Sequence, residues 1–174
     1  MLIKGKVTWI DVVKPVKSDI EAIKRLHKFH PIILDELLEP SARSRVEPHD
    51  TYLFLVYHLP MFEHELRTSR RGEVDFLITR DQVITVHYES LSPLESFAKQ
   101  LCDDEALKKH ALRDTATLVY YLIQDIINFS LRQMRHIEDN IAYVSARIFD
   151  GREEEMLRKI SYIKRDILDY SIIS

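Results

Sequence analysis

From Ile123 onward, apolar residues recur at Ile127, Met134, Ile137, Ile141, Val144 and Ile148, with Ser130 the one polar member of the series. The intervals are 4, 3, 4, 3, 4, 3 and 4. Such a stripe is a helix seam, because strand side chains repeat every second residue and cannot keep this spacing on one face. "FDGR" (149–152) then breaks the pattern, with Gly151 as a helix stop. A second stripe follows at Met156, Ile160, Ile163, Ile167 and Tyr170. Two amphipathic helices joined by a short turn predict an antiparallel hairpin over residues 111–174. If continuous from 113 to 148, its first helix is roughly 54 Å long at 1.5 Å per residue. The final stretch, "KRDILDYSIIS", carries no glycine cap, proline or polar tail, so the sequence predicts a chain cut before further helix.

Residues 1–110 read differently. "KVTWIDV" (6–12), "TYLFLVYHL" (51–59), "EVDFLIT" (73–79) and "QVITVHY" (82–88) are rich in β-branched and aromatic residues and read as strands. The tight "TRDQ" between the last two predicts an antiparallel hairpin. "SDIEAIKRLHKF" (18–29) reads as a helix with Ser18 as N-cap and Glu21 completing a capping box. "SPLESFAKQLCDD" (92–104) reads as another, with Ser92 as cap and Pro93 in its first turn. The fold class is therefore α/β (α+β): a layered mixed sheet flanked by helices over 1–110, followed by the long helical hairpin of 111–174.

Several function classes are excluded on composition and motif. Twenty-five basic residues against 28 acidic ones leave a net charge of −3, which does not suit a surface that tracks nucleic-acid phosphates. With three glycines, Gly5, Gly72 and Gly151, the chain has no phosphate-cradling glycine loop and no nucleophile elbow. No enzyme activity is expected. The single cysteine, Cys102, allows no internal disulfide. The longest apolar run, "YLFLVYHLPMF", is about half the roughly 20 residues a bilayer helix needs.

Among possible sites, His27 and His30 lie three apart, but Pro31 follows and no third ligand is near. His58 and His87 fall inside strands, where packing or hydrogen bonding is their expected role. "RTSRRG" (67–72) reads as a solvated hairpin tip, with anion binding as the other reading. Two acidic runs remain: Asp35, Glu36 and Glu39 in "LDELLE", and Asp103, Asp104 and Glu105 in "LCDDE". Each is read either as a wet helix face or as an oxygen-rich cation site, since Mg²⁺ keeps several waters and takes only one or two carboxylates.

Taken in order, "TWIDV", "HPIILDELLEPSARSRVE", "DTYLFLVYHLPMF", "VDFLITRDQVITVHYES" and "LVYYLIQDIINFSLRQMRHIEDNI" resemble the CorA family of divalent-cation transporters. The likeness covers a His-Pro segment, an acidic helix and an Arg-x-[Lys/Arg]-Val-Glu element, and runs through about 165 residues. It implies a homopentameric channel of the inner or plasma membrane, whose funnel of α/β domain, helical bundle and stalk helix lies on the cytoplasmic side. Two transmembrane helices and a Gly-Met-Asn motif end such chains, and neither is present here. The resemblance implies a regulatory Mg²⁺ held at the subunit interface by Glu36, with Asp35 beside it, opposite an acid on a neighbour's stalk. A second family acid corresponds to Gln124, next to Asp125. The resemblance implies magnesium, or cobalt or nickel, as cargo, no nucleic-acid partner, and weak or no association of residues 1–174 alone. A zinc-transporting relative and a helical-hairpin interaction module are the alternatives.

Overall fold

The computed structural model describes the backbone of residues 1–63, 68–147 and 153–173. Its strands are β1 (Leu2–Lys4), β2 (Thr8–Val13), β3 (Arg45–Pro48), β4 (Leu53–Glu63), β5 (Thr68–Ile78) and β6 (Gln82–His87). They form one sheet in the order β1-β2-β6-β5-β4-β3. The β2–β6 pair is parallel, aligning Ile10 with Ile84, whereas β1–β2, β3–β4 and β5–β6 are antiparallel. The helices are α1 (Lys17–Leu26), α2 (Pro31–Glu36), α3 (Ser92–Asp103), α4 (Glu105–Ala111), α5 (Thr115–Arg147) and α6 (Glu153–Ile173). This is the mixed sheet with flanking helices and long helical tail that the sequence predicts.

Strand alternation assigns the two faces of the sheet. Phe54, Val56, Leu77, Ile84 and Val86 meet Ile20 and Ile23 of α1 and Ile33, Leu34 and Leu37 in and after α2. On the other face Trp9 lies 5.7 Å from Phe97 of α3, which stacks on Tyr121 of α5 at 5.8 Å. Each face also buries polar side chains. On the α3 face, Trp9 Nε1 donates to Thr85 Oγ1 (2.9 Å), Thr85 donates to Asp11 (2.6 Å), and His87 Nε2 lies 3.0 Å from the same Asp11 oxygen.

Two compact units make up the chain: Met1–His58 with Glu73–Ile126, and Leu59–Gly72 with Ile127–Ser174. The helical region that begins near 111 thus contributes to both. In the second unit, α5 and α6 share a small core of Ile137, Val144, Met156 and Ile163.

Local expectations need correcting at several points. Val16, not Ser18, caps α1, because Asp19 reaches back and accepts the Val16 N–H at 2.9 Å. Leu91, not Ser92, precedes α3. The predicted stripes hold only in part: Ile137 and Val144 of α5 are buried against Met156 and Ile163 of α6, whereas Ile127, Met134 and Ile141 are more than 40% exposed, and Leu122, Ile126 and Phe129 are buried instead in the first half of α5. The physical reason is that α5 serves two cores, so no single partner holds its contact face to a heptad. Ile160 and Ile167 of the second stripe are also exposed. Ile148 and Gly151 lie outside the described residues, as does the side chain of Tyr170. The 68–72 part of the basic cluster lies in β5 rather than in a loop, and Arg67 lies outside the described residues.

Candidate functional site

The acidic helix α2 is built from its ends inward. His30 Nδ1 accepts the Ile32 N–H (3.3 Å), and Pro31, which has no N–H to satisfy, starts the helix. Ile33, Leu34 and Leu37 turn towards the sheet, which leaves Asp35 exposed and Glu36 half-buried.

The two acids have different surroundings. Glu36 is ion-paired with Arg45 of β3, whose Nε also donates to Glu47 at 2.6 Å. Burial works against the Arg45 charge, but the Glu47 hydrogen bond and the charges of Glu36 and Glu47 outweigh it, so the guanidinium sits above its ordinary range. Arg45 also lies over the Phe54 ring at 5.2 Å. Asp35 makes no ion pair among the described residues. A cleft of about 780 Å³ opens here, lined by Ile32, Asp35, Glu36, Glu39, Arg43 and Arg45 among others.

Beneath this surface lies a buried polar cluster on the same face of the sheet. His58 Nε2 is 2.8 Å from Glu73 Oε2, and both Glu73 oxygens accept the Ser41 N–H (2.8 and 2.9 Å). Two residues along β5, Asp75 lies with Oδ2 3.0 Å from the Tyr88 hydroxyl, which is itself 3.0 Å from the Glu39 carbonyl. Burial first, and the nearby Glu73 charge second, push the Asp75 carboxyl up to about 8. Arg45 belongs to the Arg-x-[Lys/Arg]-Val-Glu element of the sequence, though its pairing with Glu36 is not legible there, and Glu73, Asp75 and Tyr88 do not stand out because their partners lie 13 or more residues away.

The second acidic run does other work. Asp104 caps α4 by accepting the Leu107 N–H at 2.9 Å, and Glu105 pairs with Lys108 at 3.6 Å. Gln124 is exposed, and its neighbour Asp125 already has a partner. His27 bonds Thr51 at 2.8 Å, away from any ligand set. His58 and His87 are buried in strands, as expected, and hydrogen-bonded across the sheet to Glu73 of β5 and Asp11 of β2.

Among the described residues, no group of three or more His, Cys, Asp or Glu side chains comes together to hold a metal. At this cleft one chain offers a hard cation the exposed Asp35 and Glu39 carboxylates, neither ion-paired among the described residues, with Glu36 available only in exchange for Arg45. That donor chemistry, one or two carboxylate oxygens beside open water, fits Mg²⁺.

The family model described as CorA-like Mg2+ transporter protein matches residues 4–171. The chain belongs to that family. The cobalt/magnesium transport protein CorA of Thermotoga maritima is 19% identical over 93% of this chain, which spans only 46% of that relative. The soluble domain of CorA from Methanocaldococcus jannaschii overlays with a TM-score of 0.81 at 17% identity, covering 95% of this chain and 64% of that one. The ZntB cytoplasmic domain from Vibrio parahaemolyticus overlays less closely, with a TM-score of 0.66 at 15% identity, over 95% of this chain and 66% of that one. The CorA fold is therefore shared over nearly the whole chain, and the chain spans about half the length of the curated relatives it matches. No helix among the described residues is long and apolar enough to cross a membrane.

Proposed function

We propose that residues 1–174 form the cytoplasmic part of a divalent-cation transporter, magnesium first among its cargo. In this reading Asp35 and Glu36 supply one half of a regulatory Mg²⁺ site between subunits of a pentamer. The observation that carries it is the family match over residues 4–171, on a chain whose acidic helix leaves the Asp35 carboxylate open beside a cleft.

Electrostatics supply a working principle. Two like charges at about 4 Å repel by about 1 kcal/mol in water and about 4 kcal/mol at an effective dielectric of 20. Asp35, facing an acid of a neighbouring subunit, pushes the interface apart until a cation neutralises both. The Glu36 charge is compensated within the chain by Arg45, so Asp35 makes the first contact and Glu36 follows by releasing Arg45. Cytosolic Mg²⁺ then shifts the population towards the closed state by its greater affinity for it.

The test is transport by the membrane-embedded protein that contains this chain, measured with rising internal Mg²⁺. Asp35→Ala with Glu36→Ala is expected to leave uptake running at concentrations that silence the parent. Unchanged inhibition in the double variant would sink the regulatory role. A zinc cargo is the second reading; the matching relatives carry cobalt/magnesium names. Competition of tracer uptake by Mg²⁺, Co²⁺, Ni²⁺ and Zn²⁺ separates the two.

A further inference from the structure

The turn that follows α2 is held from below at two points. Both Glu73 oxygens accept the Ser41 N–H, and the Tyr88 hydroxyl touches the Glu39 carbonyl at 3.0 Å. It also lies at the edge of contact, 3.5 Å, with the Glu36 carbonyl. Tyr88 is in turn 3.0 Å from Asp75 Oδ2. A phenol has one proton to give, and a carbonyl oxygen can only accept. If Asp75 were ionised, it would compete with the Glu39 carbonyl for that proton, and the charge-assisted bond to the carboxylate would win. The geometry is satisfied throughout when Asp75 keeps its own proton: Asp75 donates to the Tyr88 oxygen, and Tyr88 donates to Glu39.

A second observation agrees. Asp75 is 1% exposed, and its Oδ1 is buried without any hydrogen-bond partner. A neutral carboxyl tolerates one bare oxygen far better than a carboxylate does, because an unpaired buried charge is the costlier group.

We propose that Asp75 and Tyr88 form a proton-operated latch on the acidic turn, which holds residues 36–39 against the sheet while Asp75 is protonated and releases them when that proton leaves to solvent, the Ser41 N–H staying on Glu73. The groups that bear on Asp75 are Glu73 on its own strand, Tyr88 beyond β6 and Arg45 on β3. One step further out are His58 of β4, which holds Glu73, and Glu36 of α2, which holds Arg45. Glu73 and burial favour the proton, whereas Arg45 and the Tyr88 bond oppose it. Burial and the neighbouring Asp75 charge keep the Tyr88 phenol protonated far above its ordinary range, so Asp75 is the member that switches. Burial first and the Glu73 charge second raise the Asp75 carboxyl well above its ordinary range, so the latch stays closed through that range and opens as the pH rises beyond it. The latch stands whether or not a cation binds at Asp35.

The experiment is amide hydrogen exchange of the 174-residue chain from pH 6 to 9.5. Rates are corrected for intrinsic base catalysis and compared with amides in β6. Protection at Leu38 and Glu39 is expected to fall about tenfold per pH unit once Asp75 loses its proton, while Ser41, held by Glu73, and the β6 amides keep theirs. Asp75→Asn should keep the turn protected throughout, since its amide N–H donates to Tyr88 as the protonated acid does. Tyr88→Phe should leave the turn poorly protected at every pH. A flat profile in the parent, or an Asp75→Asn profile that falls like the parent's, overturns the latch. Carboxyl-carbon NMR of the unmodified chain provides a readout free of any variant. A midpoint near 8 for Asp75 supports the latch, and a midpoint below 6 overturns it.

Discussion

Removing the Arg45 guanidinium would leave the Glu36 and Glu47 carboxylates with no cation between them, above a buried Asp75 that also feels the Arg45 charge. Both acids are about 40% exposed, so water screens much of the loss. Arg45→Gln is expected to cost about 1 kcal/mol in urea unfolding, with part of that recovered in millimolar Mg²⁺ because the freed Glu36 becomes a cation ligand. An Mg²⁺ response no larger than the parent's would mean that Arg45 does not compete for Glu36. A second residue-level expectation concerns His87. Burial disfavours its charge, but the hydrogen bond and charge of Asp11 and the Glu89 carbonyl outweigh this and raise the imidazole above its ordinary range. The native state then keeps a proton that the unfolded chain releases near pH 6.5. The stability this adds is complete below that pH and is lost as pH rises through the native value. Imidazole NMR should place the His87 midpoint above 6.5, and Asp11→Asn should lower it. A parent midpoint at or below 6.5 would contradict this.

At the scale of elements, legibility follows how strongly each segment repeats. The hairpin β5–β6 and helices α1, α3, α5 and α6 are readable from alternation and helical spacing, because each buries one face over several turns or pleats. The four-residue β3 and seven-residue α4 are too short to show a period, and the cap that starts α4, Asp104, is hidden inside an acidic run. Glu73 and Asp75 mislead for another reason. They alternate with Val74 and Phe76 as polar strand residues do, and nothing local shows that the turn after α2 covers their face and makes them a buried pair. Asp35 and Glu36 are legible as acids, and Arg45 is legible within the Arg-x-[Lys/Arg]-Val-Glu element, whereas the pairing of Arg45 with Glu36 is not, because four residues of β3 show no alternation that would place them beside α2. The true seam of the helix pair makes a testable contrast. Met156→Ala, at a position with no exposure, should cost about 2–5 kcal/mol, and Ile127→Ala about 0.5 kcal/mol or less. Helical circular dichroism under urea and exchange of α6 amides measure both, and equal costs would mean that Ile127 is buried as deeply as Met156. Gly5 supplies a sheet-side counterpart, because an added Cβ would meet the Leu112 Cβ at 2.6 Å. Gly5→Ala should therefore destabilise by about 1–3 kcal/mol through overpacking. An unchanged urea midpoint would show that Leu112 yields freely.

At the scale of the whole molecule, the question is what 174 residues can do by themselves with a divalent cation. The described part of one chain brings no three metal-binding side chains together, and the exposed Asp35 of the acidic helix stands beside an acid already paired with arginine. Surface carboxylates that do not converge do not strip Mg²⁺ of its water shell, so the chain alone is expected to bind the ion only in the range of about 10 mM. Ligand binding raises stability by RT ln(1 + [L]/Kd), which at 10 mM Mg²⁺ and such a Kd is about 0.4 kcal/mol. For a chain of this size that moves the melting temperature by about 1–2 °C. Differential scanning fluorimetry of the chain in chelator and in 10 mM Mg²⁺ measures it directly, and sedimentation in the same buffers tests the weak self-association expected of the isolated chain. A shift above 5 °C at 1 mM, with the chain still monomeric, would mean that one chain holds a complete site and that the two-subunit arrangement is wrong. The same shift accompanied by a sharp rise in sedimentation coefficient would instead mean that the ion joins chains through the acidic helix, as the proposed interface requires, and that association of residues 1–174 is stronger than expected.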